Sequence, residues 1–407
     1  MGMTLKVSVA ERRGRLVERQ LPGAPVATVS QVAGSLVALH ATDPVTVYLS
    51  ARARSRCAVE DVEAALYKER AVVRMLGMRR TVFVVPAGLA DVVQAACTDD
   101  VARRMRRQLE KDLAGGGVGG GDAGAWLRSV EDGVLRALAA RGGGASGAQL
   151  AADEPRLRTQ LVYAPDKAYG GAANITSRVL VLIAAEGRTI RGHRRGGWTS
   201  GQFEWFLPEA WLHGDENAAH AAADQDAGLG AGLDAGVART ELARRWLTAF
   251  GPGLVADLQW WAGWTGAQTK AALAALPVTE VDLDGQAGLA LADDLDFPAG
   301  PPEVAALLPA LDPTPMGWQS RAWYLDPHTP LLFDRTGNVG PTVWWAGRVV
   351  GGWAQRASGE VVYRLLEDIG ADGAAAVAAQ AAALEAWLGP ARVTPRFRTP
   401  LERELSG

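Results

Sequence analysis

Cysteine is almost absent from this chain, with only Cys57 and Cys97 among 407 residues. Two cysteines cannot build a disulfide framework or a zinc site by themselves, so both are expected as free, buried thiols. Histidine is scarce as well: five residues, no two of them close together at metal-ligand spacing, so neither a metal nor any other cofactor is expected. No run of eighteen apolar residues occurs, and the first thirty residues carry too many charges for a secretory signal. A cytoplasmic, membrane-free protein, monomeric, is the expectation. Enzyme signatures are missing too. The seven residues GGGVGGG at 115–121 have no strand pattern before them and no Gly-Lys-Ser/Thr after them, so they read as a flexible linker and not as a phosphate loop. No nucleophile elbow is present, which leaves a small-molecule hydrolase without support.

What is present describes a protein that buries cores. Hydrophobic residues make up 48% and charged residues 21%, outside the disordered range, and the length allows two to four domains. The net charge of −3 argues against indiscriminate nucleic-acid binding, but the charge is unevenly spread. Residues 1–110 hold 17 Lys and Arg against 11 Asp and Glu, whereas residues 209–303 hold 4 against 15. A basic N-terminal part suits a phosphate backbone, because Lys and Arg release condensed counterions when they neutralise it. A solvated surface of ordinary charges would look the same.

The stretch 36–56, LVALHATDPVTVYLSARARSR, organises the rest. Val29, Val32, Ala33 and Leu36 recur at helical spacing, with Thr28 or Ser30 as cap, and His40 falls on the same apolar face. Asp43-Pro44 should end that helix, since the residue before a proline is pushed out of the α region. Pro44 then suits the first turn of a new helix, with Asp43 as its N-cap. His40 and Thr42 are thereby placed at a joint between helices, where both side chains can turn toward one cleft. The new helix, expected through Arg54, carries Tyr48, Arg52 and Arg56 at four-residue spacing, an aromatic and basic face fit to touch DNA. His40 could equally be a core residue, and Asp43 only a cap.

Along the chain, a tail to Pro25 precedes this region. A short helix at 59–68 and a hairpin at 72–85 broken at Gly77 complete a helices-then-hairpin unit of winged-helix type. Its Arg74, Arg79 and Arg80 either track DNA or line an exposed edge. Helices at 89–96 and 101–113 lead to the glycine run. The pattern restarts with a helix at 126–140, then a helix at 176–185 bearing Arg178 and capped by Asn174. A hairpin follows with Arg188, Arg191, His193, Arg194, Arg195 and Trp198, suited to phosphate contact and base stacking; Trp198, Phe203, Trp205 and Phe206 as core is the other reading. Residues 213–236 read as a mobile loop. A third unit has helices at 240–250, 254–263 and 265–276, then an acidic hairpin at 279–291. Its Trp260, Trp261 and Trp264 read as core. Short strands follow at 321–325, 331–333, 342–345, 348–354 and 360–365, a small barrel or curled sheet, then an Ala-rich helix at 374–388.

The run LVALHATDPVTVYLSARAR resembles the signature of the AlkZ and YcaQ family of bacterial winged-helix DNA glycosylases, which release alkylated guanine and unhook interstrand crosslinks. The resemblance implies an α+β fold of three tandem winged helices (1–125, 126–215 and 237–300) and a C-terminal β-barrel at 301–407, C-shaped around a concave DNA-binding face. It also implies a role in crosslink repair or genotoxin self-resistance, with double-stranded DNA carrying alkylated guanine as partner. The family has Gln, an apolar residue, then Gln or Asp as its catalytic pair. Here His40 and Thr42 stand at those places, so His40, Thr42 and Asp43 are the catalytic candidates. Tyr48, Arg52, Arg56, Arg79, Arg80, Arg178, Arg191, Arg194, Arg195 and Trp198 are the DNA-binding candidates. An N7-alkylated guanine is cationic and departs readily, so such a site must mainly stabilise an oxocarbenium-like sugar and place a water. A DNA-binding protein without catalysis is the competing reading.

Overall fold

The computed structural model describes residues 5–21, 26–163, 171–213, 229–230 and 232–407. Most of the loop expected at 213–236 lies outside the described residues. The chain divides into two compact units, one of residues 1–73, 81–87 and 239–407, the other of residues 74–80 and 88–238. The fold is mixed α and β with small sheets, and no described helix is long and apolar enough to cross a membrane. Both cysteines are free and buried.

In the first unit, the expected tail is instead a helix, Val9–Gln20, closed by a capping box in which Ser8 and Glu11 satisfy each other's backbone N–H groups. A second capping box, Thr28 with Gln31, starts a helix that stops early, at Ser35. Val37 then takes a left-handed φ of 65°, uncommon for a β-branched residue, and the chain turns into a two-residue strand, Leu39–His40. This strand pairs antiparallel with the strand Val82–Pro86, His40 opposite Phe83 and Leu39 opposite Val84. The helix that was expected to run to Asp43 is corrected on this point: His40 belongs to a strand. Asp43 and Pro44 do begin a helix, Pro44–Arg52. Residues 59–68 are helical, α then π, and the sheet order places Val82–Pro86 between Leu39–His40 and Val72–Leu76. Helices followed by a hairpin are thus present here as expected.

The same unit contains the helices Ala235–Phe250 (in its larger part), Val255–Ala262 and Gly266–Ala274, then the hairpin Val278–Leu283 with Gln286–Leu291. Leu5–Lys6 adds to that hairpin as a parallel third strand. Trp261 and Trp264 are buried as expected, while Trp260 is half-buried under the Arg321 guanidinium, 5.3 Å from its ring. Beyond them, four strands form an antiparallel sheet in sequence order: Ala305–Leu308, Thr342–Trp345, Arg348–Gln355 and Val361–Leu365. Ala305–Leu308 and Val361–Leu365 are its edges, so the sheet is open and not a barrel. The strands expected at 321–325 and 331–333 are short helices, Ala322–Leu325 and Thr329–Leu332. Their aromatic and aliphatic residues suggested strands, but Tyr324 instead stacks inside the core against Trp318 and Trp344.

In the second unit the helix Asp99–Gly115 packs on Ala123–Arg141, with Leu109 and Leu113 sharing one core with Leu127, Val130, Ile183 and Trp205. The glycine run between them is therefore a turn within a unit and not a linker between domains. Val118 packs on that core, and Gly117, Gly119, Gly120 and Gly121 take positive φ that other residues rarely adopt. The helix Thr176–Ala185 is preceded by Ile175 as N-cap, with no side-chain cap, so Asn174 does not cap it. The hairpin Ile190–Arg194 with Phe203–Phe206 follows as expected.

Candidate functional site

The joint at 40–44 is tightly built. The Ala41 N–H donates to the Val82 carbonyl at 2.8 Å and continues the strand pairing. The His40 ring is buried, edge-on to Phe83 with centroids 5.4 Å apart. Its Nδ1 accepts a hydrogen bond from the Thr42 backbone N–H at 3.4 Å. A neutral imidazole accepting at Nδ1 carries its proton at Nε2, so Nδ1 does not act as a base in this arrangement.

Asp43 is buried, with its two oxygens held separately. Oδ1 accepts from the Val45 N–H at 3.3 Å, the N-cap bond, and Oδ2 accepts from the Arg396 backbone N–H at 2.9 Å. The Arg396 guanidinium also reaches the Thr42 carbonyl at 3.5 Å. Arg396 is a member of the joint that no sequence signal identifies, because it lies more than 350 residues away along the chain. A cavity of about 20 Å³ lies beside Asp43, room for roughly one water.

The helix Pro44–Arg52 is clamped from its buried side. Thr46 Oγ1 donates to the Ala310 carbonyl at 2.8 Å. Just beyond the helix, Arg54 forms a two-bond pair with Asp312 at 2.7 and 2.9 Å, fully out of water. Ser50 Oγ donates to the same carboxylate at 2.6 Å, and Arg54 also donates to Thr314 Oγ1 at 2.7 Å and to the Gln20 carbonyl at 2.7 Å. Every polar atom of the pair is thus engaged, the condition under which a buried ion pair is tolerated.

The aromatic and basic face expected on this helix is corrected. Tyr48 is fully buried, which withdraws its ring from any contact with DNA. The helix ends at Arg52, which is half-buried with its pKa lowered by desolvation, and Arg56 lies beyond the helix, exposed. Four-residue spacing does not carry a face past the point where the helix stops.

The second unit gathers other candidates. Arg79, Arg80 and Arg178 line one cleft, and Arg104, which the sequence reading missed, joins them. Arg74 is buried. In the later hairpin, Arg191 lies over the rings of Phe203 and Trp205, 4.7 and 5.3 Å away. Desolvation, with the nearby charge of Arg74, pushes its pKa down to about 10. Arg191, half-buried, thus packs on two rings of its own hairpin. Arg191→Ala is expected to cost about 1–2 kcal/mol of stability and to leave the salt dependence of DNA binding unchanged, as melting and binding titrations would show. Arg194 donates to the Trp198 carbonyl within the turn. Trp198 is half-buried, and Arg195 remains exposed.

The family described as DNA glycosylase AlkZ-like matches residues 33–387. Among solved structures, the Streptomyces sahachiroi DNA glycosylase AlkZ is similar in fold, with a TM-score of 0.69 at 19% identity, covering 94% of this chain and 98% of that one. No curated protein matches.

Proposed function

Because the chain belongs to the AlkZ-like DNA glycosylase family, we propose that it hydrolyses the N-glycosyl bond of N7-alkylated guanine in double-stranded DNA, with bulky adducts and interstrand crosslinks as extensions of the same chemistry. The observation that carries this reading is the joint itself. A histidine, a hydroxyl and a buried carboxylate lie within four residues, fixed at the head of a helix that a buried ion pair holds in place.

The cationic base departs without an acid, so the residues act on the sugar and the water. Asp43, whose oxygens accept two backbone N–H groups, supplies negative charge against the oxocarbenium-like sugar. His40 holds the attacking water through its Nε2–H, and the Thr42 hydroxyl accepts from the same water. This differs from a histidine acting as base, because Nδ1 is occupied by the Thr42 N–H. Water is the only co-substrate the chemistry needs.

A second reading, DNA binding without catalysis, is favoured by that same occupancy and by the use of both Asp43 oxygens as backbone clamps. Duplexes carrying N7-methylguanine or 8-oxoguanine separate the two. After alkali treatment, strand breaks are expected at N7-methylguanine and few or none at 8-oxoguanine, which lacks the positive charge. Equal cleavage of both would overturn the cation argument, and cleavage of neither would favour the binder.

A further inference from the structure

The cleft in the second unit contains features that no catalytic role accounts for. Arg79 and Arg80 are adjacent at the tip of a hairpin, and both take left-handed φ, 53° and 63°. That region is favoured by Gly, Asn and Asp, because most other side chains are strained there. Residues held against that preference cluster where function needs them. Across the cleft, Arg104 and Gln108 stand on the helix Asp99–Gly115, and Ser177 and Arg178 in the first turn of the ten-residue helix Thr176–Ala185.

That helix start has no side-chain cap, so its first N–H groups and the positive end of its dipole are available to an anion. Arg178 is paired with Asp112. Among the described residues Arg80 and Arg104 have no ion pair, and both are exposed. Every polar side chain that lines the cleft can donate, and the carboxylate beside it, Asp112, is taken up by Gln108 and Arg178. The lining holds no aromatic ring either, which excludes base stacking as its purpose.

We propose that this cleft binds the phosphodiester backbone of one DNA strand, independent of sequence, with Arg80 and Arg104 neutralising adjacent phosphates and the start of the helix Thr176–Ala185 receiving a phosphate oxygen. The proposal rests on the DNA-directed reading above and adds to it a specific contact surface.

The test is the salt dependence of binding to an undamaged duplex and to a single strand, measured by fluorescence anisotropy on the full chain. Each lost phosphate contact lowers the slope of log affinity against log salt by about 0.9 on duplex. Arg80→Gln with Arg104→Gln should therefore lower it by about 1.8 and weaken binding at low salt more than tenfold, while Arg80→Lys with Arg104→Lys should restore most of the slope. Arg80→Gly supplies a control that a purely structural arginine would fail. Its melting temperature should equal or exceed the parent's, since glycine relieves the left-handed φ, while its affinity falls. An unchanged slope in the Gln double variant overturns the proposal. A slope lost on single strands and kept on duplex would reassign the cleft to unpaired DNA. Failure of the glycosylase reading would show separately, as intact N7-methylguanine DNA after incubation with the unaltered protein.

Discussion

Arg54→Leu is expected to lower the stability of the first unit by about 3–5 kcal/mol, the largest structural effect of any single substitution considered. Asp312 is left fully buried with its charge uncompensated, and leaving one member of a buried pair alone costs about that much. The consequence reaches the joint, because the Arg54 and Asp312 network holds the segment 309–316 against the helix that begins at Asp43. Denaturant unfolding followed by tryptophan fluorescence reports the change, since Trp246, Trp318 and Trp344 are buried in the same unit. The paired change Arg54→Leu with Asp312→Leu should cost less than either alone, as no charge is then stranded. A single-variant loss under about 1 kcal/mol would mean that the pair behaves as an exposed one.

The second large effect is catalytic. His40→Ala is expected to lower the single-turnover rate on N7-methylguanine DNA by about 10²-fold, the usual cost of removing a group that acts on the reacting water. Affinity for the same DNA should stay nearly constant, because the interaction matters only as the transition state forms. Thr42→Ala should cost several-fold, in line with one neutral hydrogen bond of about 1 kcal/mol. If His40 were only a core residue, His40→Ala would lower the melting temperature and leave the rate per folded molecule unchanged.

Local features are the ones legible in the sequence. Asp43-Pro44 marks a helix start by its own chemistry, and the structure has the helix there with the Asp43 cap. The hairpins at 72–86, 190–206 and 278–291 are legible from their turn residues and apolar runs. The helical period of Val29, Val32, Leu36 and His40 points to a helix through His40. Period cannot sense that Phe83 and Val84, more than forty residues later, offer a strand to pair with.

Long-range closure hides the rest. Arg54 finds Asp312 and Asp43 finds Arg396 across most of the chain, and no spacing rule connects them. Tyr48 and Arg191 show the opposite error: an aromatic and an arginine looked like surface contacts, but the first lies in the core and the second rests on two rings. The left-handed Arg79 and Arg80 were visible as charges and invisible as strained residues, because φ is a property of the folded turn.

The central claim, that the 40–44 joint cleaves the glycosyl bond of a cationic guanine, is tested most directly by what the protein releases. Duplex DNA bearing one N7-methylguanine would be incubated with the protein, or with the His40→Ala variant, and the filtrate analysed by mass spectrometry. Free 7-methylguanine matched by abasic sites in the strand is expected, appearing about 10²-fold more slowly with the variant. DNA that is bound yet yields no free base, or release at the same rate from both proteins, would contradict it.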